Sequence, residues 1–161
     1  MSQDQNTEMQ NWVLRMAVEP GWFEVSGNCY FVTHARFLDK DPGPGHGDCA
    51  LMNETREQLE RYFAGQCGAF SLPVMTRGTE FQQRVWTALE SIPAGQAITY
   101  GELARRVGSS ARAVGGACRH NPVALIVPCH RVVSSQGIGG YAGDVDGPNI
   151  NVKHWLLQHE V

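Results

Sequence analysis

The sequence predicts an α/β (α+β) N-terminal domain with a small sheet, followed by a mainly α-helical C-terminal domain that carries a helix-turn-helix. Three observations predict it. Apolar and aromatic runs around turn residues occupy the first half. Capping-box patterns ahead of apolar residues at helical spacing occupy the second. The pattern changes near Leu72 to Gly78, which sets the domains at residues 1–75 and 76–161.

In the first domain, Trp22-Phe23-Glu24-Val25-Ser26 and Cys29-Tyr30-Phe31-Val32-Thr33 flank Gly27-Asn28, which reads as a hairpin turn, and Arg36-Phe37-Leu38 extends the sheet. Asp41 to Gly47 is too rich in Pro and Gly to be anything but loop. A helix is expected over Asn53 to Ala64, with Leu59, Tyr62 and Phe63 on one side and Gly65 at its end. In the second domain, Thr79-Glu80-Phe81-Gln82 is a capping box opening a helix with Phe81, Val85, Trp86 and Leu89 at helical spacing, broken at Pro93-Ala94-Gly95. Thr99-Tyr100-Gly101-Glu102 is a second capping box, opening a short helix through Val107 that Gly108 stops. Ser109 or Ser110 caps the next helix, which runs to about Arg119 and ends at Asn121-Pro122. Two short helices across a tight Gly-Ser turn make a helix-turn-helix. The apolar run Val123 to Val127 reads as a buried strand. Gln136 to Gly143 is a loop with four glycines, and Val152 to His159 a last helix burying Val152, Trp155 and Leu156.

A length of 161 residues, 42% of them hydrophobic, accommodates one domain with a small companion. No apolar run approaches the roughly 20 residues of a membrane span, so no membrane partner is expected. Residues 1–10 carry Asp4 and Glu8 and no apolar block, which argues against a secretory leader. Five cysteines without a CxxC pair read as free thiols of a reducing cytoplasm. Charge is uneven: residues 1–75 hold ten acidic and five basic side chains, whereas residues 97–131 hold five arginines against Glu102 alone. That basic segment is either a solvated helix face or a local site for phosphate backbone.

The chemistry concentrates in Pro128-Cys129-His130-Arg131-Val132, where a thiol stands beside an imidazole: a nucleophile with a base close by. In a strand the two side chains would face opposite ways. Upstream, Ala111-Arg112-Ala113-Val114-Gly115-Gly116-Ala117 is a helix almost without bulk, and each glycine inside a helix costs about 1 kcal/mol relative to alanine. Either it packs closely on a neighbour, or it lies shallowly in a nucleic-acid groove with Arg112 reaching in. Few of its side chains suit base-edge readout, so any DNA binding should show little sequence preference.

Taken together, Arg77-Gly78-Thr79-Glu80-Phe81-Gln82-Gln83-Arg84-Val85-Trp86, Thr99 to Ala104, Arg112 to Ala117, Asn121-Pro122, Val127 to Val133, Gly140-Tyr141-Ala142-Gly143 and Lys153 with Trp155-Leu156-Leu157 resemble the O6-alkylguanine-DNA alkyltransferases, the methylated-DNA–protein-cysteine methyltransferases. The resemblance covers about Arg77 to Glu160 strongly and the first half loosely. It implies repair of O6-alkylguanine, with O4-alkylthymine a further substrate, by self-inactivating transfer to Cys129. It implies double-stranded DNA as partner, bound through the minor groove with the damaged base flipped out. It also implies a monomer, with cooperative loading on DNA open, and no cofactor.

By the same resemblance His130 is the base, acting through a bridging water, and Glu160 orients it, while Asn121 ties the helix-turn-helix to the active-site segment. Tyr100 crowds the rotated phosphate and donates to guanine, and Arg112 fills the vacated place in the duplex. Ala111, Ala113, Gly115 and Arg119 face DNA. Val132, Tyr141, Ala142 and Gly143 surround the base, Val132 through its carbonyl. Ala142 stands where many members carry serine, and residues 144–151 look longer than the usual link to the last helix. Cys29 and His34 have the spacing of two zinc ligands in some members, but the other two lack counterparts, so no metal site is expected. A Cys-His hydrolase, a lesion-binding module without chemistry and a sequence-specific regulator are the competing classes. Cys129 speaks against the second, and the scarcity of base-reading side chains against the third.

Overall fold

The structure, a computed structural model, describes residues 11–161. The expectation that residues 1–10 form no secretory leader falls outside the described residues. Two compact units divide the chain, one ending at Thr76 and the other spanning Arg77–Val161.

The first unit holds a three-stranded antiparallel sheet in chain order, β1 (Trp12–Val18), β2 (Gly21–Gly27) and β3 (Val32–Leu38), with helix α1 (Ala50–Phe63). Alternation builds one inner face: Trp12, Leu14, Phe23, Val25, Val32 and Ala35 are buried, as are Leu51, Leu59 and Tyr62 of α1. At the centre of the sheet Glu24 takes Arg15 of β1 at 2.7 Å and Arg36 of β3 at 2.9 Å, the residues directly opposite it in the register. Burial opposes ionisation there, but the two guanidinium hydrogen bonds leave the Glu24 carboxyl below its usual range.

Several expectations are corrected here. β1 went unread although Trp12 and Leu14 alternate inward. Gly27-Asn28 is not a two-residue hairpin turn. Residues 28–31 all lie in the connection, folded on the Asn28 side chain, whose Oδ1 accepts from the amides of Tyr30 and Phe31 at 2.8 Å each. Helix α1 starts three residues earlier than Asn53, with Cys49 before it giving no side-chain cap.

The second unit is built from α2 (Glu80–Glu90), β4 (Ile98–Thr99), α3 (Tyr100–Val107), α4 (Ala111–Arg119), β5 (Val132–Val133) and α5 (Pro148–His159), with a 3₁₀ turn at Cys129–Arg131. The Thr79 box forms in full: its Oγ1 accepts from Gln82 N at 3.1 Å and its own N–H donates to Gln82 Oε1 at 3.0 Å. The Thr99 box forms by half. Its hydroxyl caps Glu102 N at 3.1 Å, but the Glu102 carboxylate turns to Arg105 and Arg106. Gly108 ends α3 at φ 69°, a left-handed position. Ser110, not Ser109, caps α4. α3 and α4 pack on each other and on α2, and Trp86 Nε1 donates to Ala117 O at 2.9 Å, which fastens α2 to α4.

Two further expectations fail. Val123 to Val127 is buried but is not a strand. Val127 N–H returns to Val123 O at 3.0 Å and Leu125 sits at φ 73°, so the run coils on itself. An apolar run of this length satisfies either conformation. The link to the last helix is shorter than residues 144–151, because α5 begins at Pro148, a residue suited to a first helical position. Trp155 is half-buried and stacks on His159 at 4.4 Å, while Ile150, Val152, Lys153 and Leu156 turn inward. The parallel pairing of β4 with β5 was not anticipated.

Thr79→Ala removes both bonds of the complete box and is expected to lower unfolding free energy by about 1 kcal/mol, read from urea midpoints at unchanged m-value.

Candidate functional site

The turn that displaces the expected strand also presents the thiol. Asn121, just past α4, donates Nδ2–H to Val127 O at 2.8 Å and accepts Val123 N–H at 3.0 Å, so one amide closes both ends of the coiled run. Cys129 then enters a 3₁₀ turn, its N–H on Val127 O at 2.9 Å. It is 7% exposed and forms part of the wall of an open cavity of about 410 Å³. Burial pushes its thiol up; the Asn121 amide and the Lys153 ammonium pull the other way.

Behind the thiol lies an ionic cluster. His130 is fully buried, and its Nε2 meets Glu160 Oε1 at 2.7 Å. Arg131 donates Nε–H to Glu160 Oε2 at 3.0 Å and Nη2–H to Oε1 at 2.9 Å, and its Nη1–H goes to Ile92 O at 2.6 Å. Burial works against the Glu160 charge, but the His130 and Arg131 hydrogen bonds overcome it and hold the carboxyl well below the usual carboxylate range. For His130 burial dominates and lowers it, so the ring is neutral near pH 7. An ionised carboxylate only accepts, so Nε2 carries the proton and Nδ1 keeps its lone pair. Nδ1 is buried and has no hydrogen-bond partner among the described residues.

The cavity mouth is bounded by Tyr100 at the start of α3, by Arg112, Gly115, Gly116 and Arg119 of α4, and by Tyr141 to Val145. α4 presents two glycines there, Gly115 and Gly116. A Cβ on Gly116 would meet nothing within 4 Å, so close packing does not explain the glycines. At Gly139, φ is 76° and a Cβ would stand 3.0 Å from the Tyr100 ring, so only glycine lets the loop pass. Tyr100 donates its hydroxyl to Gly140 O at 3.3 Å. Tyr141 and Asp144 exchange backbone hydrogen bonds at 2.8 and 2.9 Å around Ala142 at φ 52° and Gly143 at φ 85°, a tight turn with both central residues left-handed. Lys153 of α5 is fully buried and donates to Val132 O at 2.7 Å and Gly140 O at 2.9 Å, pinning the turn after Cys129 to the loop. Burial brings its ammonium down to about 8, against the pull of the neighbouring thiols.

The residues expected from sequence divide accordingly. Tyr100, Arg112, Gly115, Arg119, Cys129, Tyr141, Ala142 and Gly143 all border the cavity. Ala111 is exposed beside Arg112 in an adjoining groove, and Ala113 is half-buried. His130, Glu160 and Asn121 stand behind the wall. Val132 is buried, its carbonyl engaged by Lys153. Sequence reasoning gave no role to Lys153 and Arg131, quoted only within the family's motifs, and passed over Cys118, a second thiol in the same wall, pushed up to about 12 by burial and by Cys129. Lys153 was findable: it shares the buried stripe of Ile150 and Leu156, where a charge needs partners. In the first unit the Cys29 thiol lies within hydrogen-bond reach of Cys49. Among the described residues no group of three or more His, Cys, Asp or Glu side chains is arranged for a metal.

Comparisons with known proteins point to one family. Residues 80–161 match the family described as 6-O-methylguanine DNA methyltransferase, DNA binding domain. A methylated-DNA–protein-cysteine methyltransferase of Mycobacterium bovis is 42% identical over 147 residues, 87% of this chain and 86% of that protein. The O6-methylguanine methyltransferase of Mycobacterium tuberculosis superposes with a TM-score of 0.78 at 37% identity, over 94% of this chain and 93% of that one. The same organism's protein in complex with DNA gives 0.76 at 39%, over 91% and 90%.

Because Glu160 has its folded-state ionisation held below the unfolded value of 4.5, its contribution to stability is complete above that pH and is lost as pH falls through the folded value. Denaturant titrations from pH 6 downward are expected to show a steeper acid loss in the native chain than in Glu160→Gln, and coincident slopes would refute the assignment.

Proposed function

The chain belongs to the methylated-DNA–protein-cysteine methyltransferase family, and from that premise we propose that Cys129 takes the alkyl group from O6-alkylguanine, and from O4-alkylthymine, in duplex DNA. The observation that carries this reading is a thiol in the wall of an open cavity, backed by a buried imidazole whose second nitrogen is committed to a carboxylate.

A base-oxygen alkyl group is shielded inside a stacked duplex, so the nucleotide rotates out into the cavity, at a cost of a few kcal/mol that is smaller for a mispaired lesion. α3 and α4 act as the helix-turn-helix and lie along the minor groove. The small residues Ala111, Ala113 and Gly115 allow close approach, and Arg119 adds positive charge. Arg112, exposed in the first turn of α4, fills the vacated place. Tyr100 meets the rotated backbone. The backbone at Tyr141 to Gly143 lines the base, and the Val132 carbonyl, with one lone pair beyond its bond to Lys153, accepts from the guanine amino group.

Displacement at a saturated carbon requires thiolate. Cys129 gives its proton through one bridging water to the His130 Nδ1 lone pair, and the resulting imidazolium is balanced by Glu160. Asn121 and Lys153 favour the thiolate. The sulfur attacks the alkyl carbon, the carbon–oxygen bond breaks, and its electrons pass to the base. Tyr100 donates toward the ring nitrogen as charge develops there. The thioether offers water no leaving group, so each molecule acts once. A Cys-His hydrolase would instead form a thioester that water reopens.

After incubation with duplex DNA bearing O6-methylguanine, intact and peptide mass measurement is expected to find one methyl on Cys129 and none in Cys129→Ser; a methyl on another cysteine would overturn the proposal. Arg112→Ala is expected to slow repair of duplex DNA by roughly tenfold or more while leaving reaction with free O6-alkylguanine base unchanged, since only the duplex requires a flipped-out nucleotide. Equal slowing on both substrates would remove the intercalating role.

A further inference from the structure

We infer that Arg131 is a positioning residue for alkyl transfer: its guanidinium fork fixes the Glu160 carboxylate and thereby sets which nitrogen of His130 is free to take the Cys129 proton. The inference rests on the roles proposed above for His130 and Glu160.

Three of its donors are committed, two to the carboxylate oxygens and one to Ile92 O. Glu160 needs such a clamp. It caps the end of α5, and helix ends ordinarily fray. Yet its side chain is almost fully buried, at 1% exposure. A single hydrogen bond from a neutral imidazole fixes neither the rotation nor the ionisation of a buried carboxyl. A planar fork engaging both oxygens fixes both. The anchor at Ile92, just beyond α2, ties the fork to a second segment.

The consequence is tautomeric. Burial alone would drive Glu160 toward its protonated form. A protonated carboxyl would donate to His130 Nε2 and move the ring proton to Nδ1, the nitrogen that must accept from the thiol. The guanidinium forbids that inversion. It does so at some expense in base strength, because its charge also lowers His130. Loss of Arg131 therefore depresses the plateau of the rate–pH profile rather than merely displacing it along the pH axis.

The test is a double-mutant cycle on the full chain, using Arg131→Met, Glu160→Gln and the double variant. It reads methyl uptake from O6-methylguanine duplex DNA and iodoacetamide alkylation of Cys129 across pH, with melting temperature followed alongside. Arg131→Met is expected to lower the plateau rate by roughly tenfold to a hundredfold, a part of what a placed general base supplies. The double variant is expected to be little slower than the slower single one. Arg131→Lys keeps a charge but cannot span both oxygens, and is expected to recover little; it serves as the readable variant if Arg131→Met does not fold. A wild-type plateau in either Arg131 variant, or additive losses in the double, overturns the inference. A wild-type rate in Glu160→Gln is a different failure, because it removes the proposed role of Glu160 and Arg131 loses its object with it.

Discussion

The second unit depends on one carboxylate. Glu160, at the end of α5, is shared by two consecutive residues of the turn that carries Cys129, and through Arg131 it reaches the end of α2. Burying an isolated anion would cost several kcal/mol. The cost is offset here because every demand is met at once: His130 and Arg131 supply three hydrogen bonds to its two oxygens. Removing either partner would leave a buried charge incompletely paired, the costly direction of such a change. The cluster therefore holds the last helix, the turn of Cys129 and the end of α2 in one arrangement.

Lys153 plays the corresponding part on the other side of the turn. A fully buried ammonium joins two carbonyls, Val132 O and Gly140 O, that belong to the wall of the cavity. Its positive charge also favours thiolate at Cys129. The same side chain thus sets the shape of the recess and the local potential. The cavity is kept open by absence of bulk: Gly115, Gly116 and Gly143 in its wall carry no side chain to fill it.

The opposing forces on Cys129 explain how a thiol can be both protected and reactive. Burial raises it, so the resting side chain is held toward the neutral thiol. The groups that would favour the thiolate are fixed by other bonds before any substrate arrives: Asn121 by Val127 and Val123, Lys153 by its two carbonyls, His130 by Glu160. Such preorganisation makes ionisation a matter of one proton moved, with no rearrangement of the surrounding dipoles.

Much of this was legible in the residues. The Thr79 box, the Gly108 stop and the Ser110 cap are local devices, decided by side chains within a few positions of one another, and they appear where the sequence puts them. Cys129 beside His130, the bulk-free α4 and the glycine-rich loop likewise marked the site as a chemical neighbourhood. What could not be read was non-local. Val123 to Val127 is the local exception: the run is equally apolar as strand or coil, and the coil is held by its own Val127–Val123 bond and by Asn121, two and six positions from its partners. β1 waited on its partner β2, and β4 on β5, because a strand is stabilised by hydrogen bonds to residues far along the chain. Arg131 and Lys153 look like surface charges until the fold buries them. The sequence by itself determined the helix ends that are set by a local cap or stop, at Thr79, Gly108 and Ser110, and which kinds of side chain gather at the site. The tertiary structure alone decided which charges share a partner, since that depends on distances between segments that no local pattern encodes.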